Sequence, residues 1–389
     1  MRRTSIFVRI LATLLSCWTM IGIACAQDAV SFESKALQAI LVDAKSGLVL
    51  YEKDADTAIP PASMSKLVTQ SIVFDALKNG QLKLEQEFLV STDAWKRGGG
   101  AAGGSTMYAE VNSHIKIDDL IHAAIIQSAN DACIVIAEGM AGSEQAFTQR
   151  MAAQAQTLGL KNSSFANATG LPDPKHKMSV RDLSIVARYI INTHPDYYKI
   201  YGQPEFTWNK ITQQNRNPLL KDYPGADGMK TGYTKEAGYG MVGSAMRDGR
   251  RLIMVIAGLS SINDRKAEAQ KLLDWGFGQF KLINLYEAGE IVSRARVWGG
   301  SEHWVNLVVH DAMKVALSPK EQERAEIKMN YTGPLLAPVK AGQSVGTVRI
   351  LIDGKPVSDA PLEVAADVPA VDSMWKKAWD SLLIMAFGG

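Results

Sequence analysis

Asp227-Gly228-Met229-Lys230-Thr231-Gly232-Tyr233-Thr234 reads as a chain break followed by an extended segment from Lys230 to Thr234. Two more extended runs come after it, Tyr239 to Met246 and Arg251 to Gly258. Between them Arg247-Asp248-Gly249-Arg250 carries a hairpin-turn signal, since glycine tolerates the positive φ that tight turns demand. Asn263 then caps an Ala- and Leu-rich helix running to Phe280. Antiparallel strands mixed with helices predict an α/β (α+β) domain rather than a doubly wound parallel sheet.

Upstream, Ala39-Ile40-Leu41-Val42, Lys45-Ser46-Gly47 and Leu48-Val49-Leu50-Tyr51 read as a hairpin. Pro60-Pro61 enforces an extended approach to Ser63, and from there Met64, Leu67, Val68, Ser71, Ile72 and Asp75 recur at helical spacing until Asn79-Gly80. Ser63 and Lys66 then share one face of that helix. A second helix is expected from Ile117 to Ala129, burying Leu120, Ile121, Ala124 and Ile125, with Ser128 and Asn130 at its end. Beyond Ile283 short alternating segments (Ile291 to Trp298, Trp304 to Val309, Ala325 to Tyr331, Ser344 to Ile352) predict a small all-β domain.

The termini have their own texture. Arg2-Arg3, an apolar run from Ile10 to Ile23 and Ala24-Cys25-Ala26 predict a secretory leader over 1–26, cut before Gln27. Cleavage there leaves Cys133 without an intramolecular disulfide partner. At the other end Val371, Met374, Trp375, Ala378, Trp379, Leu382, Leu383 and Ala386 fall on one helical face, and Asp372, Lys376, Lys377 and Asp380 on the other. That stretch is shorter than the ~20 apolar residues that span a bilayer. Two Trp beside Lys suit a helix lying in a membrane interface. The expected organisation is therefore a leader at 1–26, an α/β domain at 27–283, a β-rich domain at 284–367 and an amphipathic membrane-anchoring helix at 368–389. A net charge of +2, without a Lys/Arg block in the mature chain, gives no field to gather nucleic acid.

Three strings carry chemistry: Ser63-Met64-Ser65-Lys66, Ser128-Ala129-Asn130 and Lys230-Thr231-Gly232. Single matches mean little, because Ser113-His114-Ile115-Lys116, Ser373-Met374-Trp375-Lys376, Ser261-Ile262-Asn263 and Lys45-Ser46-Gly47 are decoys. Order and setting discriminate: only one combination opens a helix, closes another and ends on a strand. Serine is a poor nucleophile until a neighbour takes its proton, so a neutral amine on Lys66 is the expected base, kept neutral by nearby positive charge on Lys230 and by desolvation. Ser128 is expected to relay a proton to the leaving amine, Asn130 to hold Lys66 and the substrate amide, and the Ser63 and Tyr233 N–H groups to bind the oxyanion. Thr231 and Gly232 offer a strand edge for an extended peptide. Gly98-Gly99-Gly100-Ala101-Ala102-Gly103 matches a dinucleotide fingerprint formally, yet no strand precedes it and no helix opens from it, so a loop near the site is expected. His114, His122, His176, His194, His303 and His310 show no metal-ligand spacing; neither a metal nor another cofactor is indicated.

The strings, in the near form Ser-x-x-Lys, Ser-Asp-Asn and Lys-Thr-Gly, are the signature of penicillin-binding proteins and class A β-lactamases. With Asn130-Asp131-Ala132-Cys133, Asn215-Arg216-Asn217 and Leu272-Leu273-Asp274-Trp275-Gly276-Phe277, the chain resembles low-molecular-mass penicillin-binding proteins of the serine D-alanyl-D-alanine carboxypeptidase type (peptidase family S11) over nearly its whole length. The resemblance implies a β-lactamase/transpeptidase-like, penicillin-recognising domain, with peptidoglycan stem peptides ending in D-Ala-D-Ala as substrates and β-lactam antibiotics as covalent inhibitors. It implies acylation of Ser63, carboxylate binding by Arg216, and an address on the periplasmic face of the inner membrane. It allows a His after the third string's glycine; Tyr233 stands there, which keeps the backbone role only. Two rivals are a class A-like β-lactamase and a catalytically silent, membrane-tethered cell-wall peptide-binding protein. The first needs a deacylating glutamate, usually within Glu-x-x-Leu-Asn, and the chain has no Leu-Asn dipeptide.

Overall fold

The structure, a computed structural model, describes residues 4–8 and 32–387. The rest of the expected leader lies outside the described residues. Two compact units divide between Gly278 and Gln279. The boundary falls before the expected 283 because Lys281–Tyr286 pairs with Met313–Leu317 of the later unit.

In the first unit a five-stranded antiparallel sheet is built from β1 (Gln38–Asp43), β2 (Val49–Lys53), β3 (Ala226–Thr234), β4 (Gly238–Arg247) and β5 (Arg250–Leu259), in the order β2-β1-β5-β4-β3. The expected hairpins are present, with Arg250 opposite Arg247. Side chains alternate across a strand, so a central strand buried on both faces needs a layer on each. Ile40, Val42, Ile253 and Val255 join the helical core. On the other face Leu41 and Leu252 meet the bare Cα of Gly276, where a Cβ would come within 2.5 Å of Leu41. Gly276 belongs to α5 (Ile262–Gln279).

The helical core contains α1 (Lys66–Lys78), α2 (Asn130–Ala141), α3 (Glu144–Leu158) and α4 (Val180–Thr193). α1 is buried on every face from Lys66 to Phe74, as a helix threading the middle of a domain must be. The start of β3 differs from the sequence expectation. Asp227-Gly228 is part of the strand, with a register shift beside it, because Arg251 grips Asp227 through two hydrogen bonds of 2.6 Å and Tyr198 O–H donates to the same carboxylate.

The second unit is dominated by a sheet that includes β6 (Ile291–Trp298), β7 (Trp304–Val309), β8 (Ala325–Tyr331), β9 (Ser344–Ile352) and β10 (Lys355–Val364). Thr4–Val8 runs antiparallel along β8. The chain closes with α6 (Met374–Phe387). Asp380, on the polar face of this helix, is 3% exposed. Its carboxylate accepts from Gly299 N–H and pairs with His303 Nδ1 at 2.8 Å, while Trp298 Nε1–H donates to Ser381. Trp375, Trp379, Leu382 and Met385 of the same helix are exposed. Among the described residues no helix is long and apolar enough to cross a membrane.

Candidate active site

The nucleophile string does not open α1 directly. Ala62–Ser65 forms a single 3₁₀ turn and the α-helix begins at Lys66, yet Lys66 Nζ still reaches 2.9 Å from Ser63 Oγ. It also lies 2.8 Å from Asn130 Oδ1 and 2.5 Å from Thr169 O. A neutral amine has two N–H donors and one lone pair. Two carbonyl oxygens take the donors, which leaves the lone pair for the Ser63 hydroxyl. Lys66 is 1% exposed. Burial pushes its pKa down to about 8, and the Arg216 guanidinium acts in the same direction, while Cys133, Asp131 and Glu144 oppose. The expectation that Lys230 is the main agent is thereby corrected: desolvation leads. Lys230, itself buried, is held well below its ordinary value by burial first, then by Lys66 and Arg216.

Ser128 stands at a break between helices. Ile117–His122 continues into a wide turn at Ala123–Gln127, and Ser128 then adopts left-handed backbone (φ 65°). Such backbone in a non-glycine residue is typical of functional sites. Its Oγ is buried and has no partner among the described residues, a hydroxyl held ready at the cavity. Asn130 starts α2 instead of ending the preceding helix, because the left-handed turn at Ser128 redirects the chain.

The third string lies on β3, an edge strand of the sheet. Gly232 is needed for close approach: a Cβ there would meet Pro61 O at 3.0 Å and Ala62 Cβ at 3.2 Å, pressing on the turn that carries Ser63. Lys230 Nζ donates to Thr231 O at 3.0 Å. Tyr233 is 53% exposed and stacks on Tyr239 with ring centroids 4.2 Å apart. Arg216 is placed by its neighbours. Asn215 Nδ2 donates to Tyr201 O and Gln203 O, and Asn217 Oδ1 accepts from Leu219 N–H.

Ser63, Ser128, Asn130, Arg216, Thr231 and Tyr233 line one cavity of about 720 Å³. Gly232 lines it too; Lys66 and Lys230 are buried side chains of the same strings. Gly103, Gly104 and Ser105 form part of its wall, so the glycine-rich segment does lie at the site. Sequence reasoning missed Arg265, a second guanidinium lining the cavity, 7% exposed, whose buried Nε has no partner among the described residues. It also missed the Asn167–Gly170 turn, where Asn167 Oδ1 gathers Thr169 N–H, Thr169 O–H and Gly170 N–H and so presents Thr169 O to Lys66. Cys133 is fully buried, and burial raises its thiol to about 11, in keeping with the expected packed core residue. Among the described residues no cluster of three or more His, Cys, Asp or Glu could hold a metal.

Known proteins resemble this chain in sequence and fold. The D-alanyl-D-alanine carboxypeptidase family model matches residues 24–261, and the penicillin-binding protein 5 C-terminal domain matches 280–370. D-alanyl-D-alanine carboxypeptidase DacC of Escherichia coli (strain K12) is 37% identical over 348 residues, covering 89% of this chain and 87% of the relative. The crystal structure of penicillin-binding protein 5 from Haemophilus influenzae superposes with a TM-score of 0.74 at 35% identity, covering 87% of this chain and 98% of that one. The ampicillin-bound penicillin-binding protein D2 from Listeria monocytogenes matches with a TM-score of 0.57 at 30% identity, covering 63% and 98%. These likenesses favour neither the β-lactamase nor the silent binding protein. With the three strings meeting in one cavity and an all-β unit following in the sequence, the chain belongs to the D-alanyl-D-alanine carboxypeptidases, serine hydrolases of peptidase family S11 with the penicillin-binding protein fold.

Proposed function

We propose that this chain removes the terminal D-Ala from peptidoglycan stem pentapeptides through an acyl-enzyme on Ser63, and that β-lactams arrest it by acylating the same oxygen. The observation that carries this is the Lys66 amine, buried beside Ser63 Oγ with its two donors absorbed by Asn130 and Thr169. Lys66 takes the Ser63 proton as Oγ attacks the penultimate D-Ala carbonyl. Ser128 gives its hydroxyl proton to the leaving D-Ala amine and is reprotonated by Lys66, which is then neutral for the water that cleaves the ester, taking a proton from that water and returning it to Ser63 Oγ. Thr231 to Tyr233 supply the strand edge, and the Ser63 and Tyr233 N–H groups bind the oxyanion. Arg216 and Arg265, which line the cavity, give it a cationic character suited to the terminal carboxylate, which only an uncapped stem presents, and Lys230 is a buried amine donor on the third string.

The chain acts outside the cytoplasm in this reading, exported by its leader and resting on the periplasmic face of the inner membrane through α6. Support comes from the way α6 is seated. Its polar Asp380 is taken up by the β-rich unit, and Trp375 and Trp379 are left exposed with Lys376 on the same helix, which suits a lipid interface. Intact-mass spectrometry after incubation with benzylpenicillin tests the chemistry. A persistent adduct mapping to Ser63 is expected; rapid turnover to penicilloate, leaving no adduct, would restore the β-lactamase reading.

A further inference from the structure

The glycine-rich segment from Gly98 to Ala109 is seated on Asn130 and Asp131 at three points. Asn130 N–H donates to Ser105 O at 2.7 Å. At Gly98 a Cβ would come within 2.3 Å of Asp131 N, and at Gly104 within 2.9 Å of Asn130 Nδ2, the amide expected to meet the substrate. A carboxylate holds each end. Asp131, 0% exposed, accepts from Thr106 O–H (2.6 Å), Met107 N–H (3.0 Å) and Ala109 N–H (3.1 Å). At the other end Arg97 donates to Glu144 Oε2 (2.7 Å), and Glu144 Oε1 accepts from Ala168 N–H (2.9 Å), one residue before the carbonyl that binds Lys66. A buried carboxylate such as Asp131 is tolerated only where donors or a cation meet it, and part-buried Glu144 is met by both, so the two acids fix the backbone they gather.

We propose that Asp131 and Glu144 are positioning residues of the active site: together they fix the glycine-rich wall against Asn130 and so set where the amide of a bound stem peptide lies. This rests on the carboxypeptidase reading. The wall is continuous with the cavity through Gly103, Gly104 and Ser105, and the two acids sit in the first turns of consecutive helices, α2 and α3. The same ties reach Lys66 from both sides, through Asn130 and through Thr169.

The test compares Asp131→Asn, Glu144→Gln and Gly104→Ala with the unaltered full chain, each checked for a cooperative thermal melt. D-alanine release from diacyl-L-Lys-D-Ala-D-Ala is followed against pH. Asp131→Asn is expected to lower kcat/KM on the order of 100-fold, the scale of an ångström-sized misplacement. Its acid limb is expected to move to lower pH. That limb reports Lys66, faced by Arg216, Lys230, Cys133, Asp131 and Glu144, and losing a negative charge favours the neutral amine. Glu144→Gln is expected to shift it in the same direction with a smaller loss of rate. Gly104→Ala displaces Asn130 without altering charge, so it lowers kcat/KM and leaves the limb in place. Folded acid variants with unchanged kcat/KM, or with lowered kcat/KM and an unmoved limb, overturn the proposal. If Asp131→Asn does not fold, Glu144→Gln and Gly104→Ala decide, and unaltered rates in both overturn it. Should the unaltered chain release no D-alanine, the carboxypeptidase reading fails first, and benzylpenicillin acylation rates of the same variants still test the wall.

Discussion

In the proposed mechanism Lys66 acts as base only when neutral, so acylation requires its deprotonated form. With the amine pushed down to about 8, the rate of Ser63 acylation is expected to rise as pH climbs through about 8, tenfold per pH unit below that point. Stopped-flow acylation by benzylpenicillin across pH 5 to 10 checks it; a limb near the ordinary lysine value of about 10.4 contradicts the buried-amine account. His176 gives a second pH prediction with a different readout. Its Nδ1 accepts from Ala166 N–H, and burial lowers its pKa to about 4, so the folded state holds it neutral. Stability from that neutral form is full above the unfolded value of about 6.5 and is lost as pH falls toward 4, at most about 3 kcal/mol. Thermal midpoints should therefore drop over that window, and His176→Gln should flatten the dependence. At this scale the sequence was informative wherever chemistry demands a side-chain type at short spacing, as at Ser63 and Lys66. It was silent on Thr169, because any residue supplies a carbonyl, and on Arg265, which lies 33 positions beyond the third string with nothing local to mark it.

Turns between elements carry the site, and their geometry sets which substitutions matter. Gly170 has φ 79°, and a Cβ there would stand 1.9 Å from Ala62 O, on the turn that bears Ser63. Gly170→Ala is expected to lower stability by about 1–3 kcal/mol and slow acylation, measured by thermal melt and penicillin labelling on one preparation. Leu67→Ala in α1, fully buried, is expected to cost about 2–5 kcal/mol. Unaltered melts in either variant contradict the packing described. Hydrophobic periodicity and turn residues marked the hairpins, α1, α5 and the strands of the β-rich unit. They did not mark the 3₁₀ start at Ala62–Ser65 or the left-handed Ser128 that hands the chain to α2, since tertiary contacts around Lys66 and Asn130 set those short segments. The chain break expected at Asp227-Gly228 was likewise overridden by Arg251, a partner 24 residues away.

Across the whole molecule, the catalytic unit and α6 are separable in chemistry. Trp375→Ala with Trp379→Ala is expected to abolish sedimentation with anionic phospholipid vesicles while leaving D-alanine release in solution unchanged; retained sedimentation contradicts the interfacial role. The amphipathic pattern of α6 was legible, but the burial of Asp380 was not, because a partner such as His303 or Gly299 leaves no trace at helical spacing. The proposed event is acyl transfer through Ser63 with loss of a terminal D-Ala. Incubating the purified chain with diacyl-L-Lys-D-Ala-D-Ala and assaying free D-alanine tests it most directly. Release by the unaltered chain and none by Ser63→Ala is the predicted result; no release by the unaltered chain, or equal release by both, would contradict it.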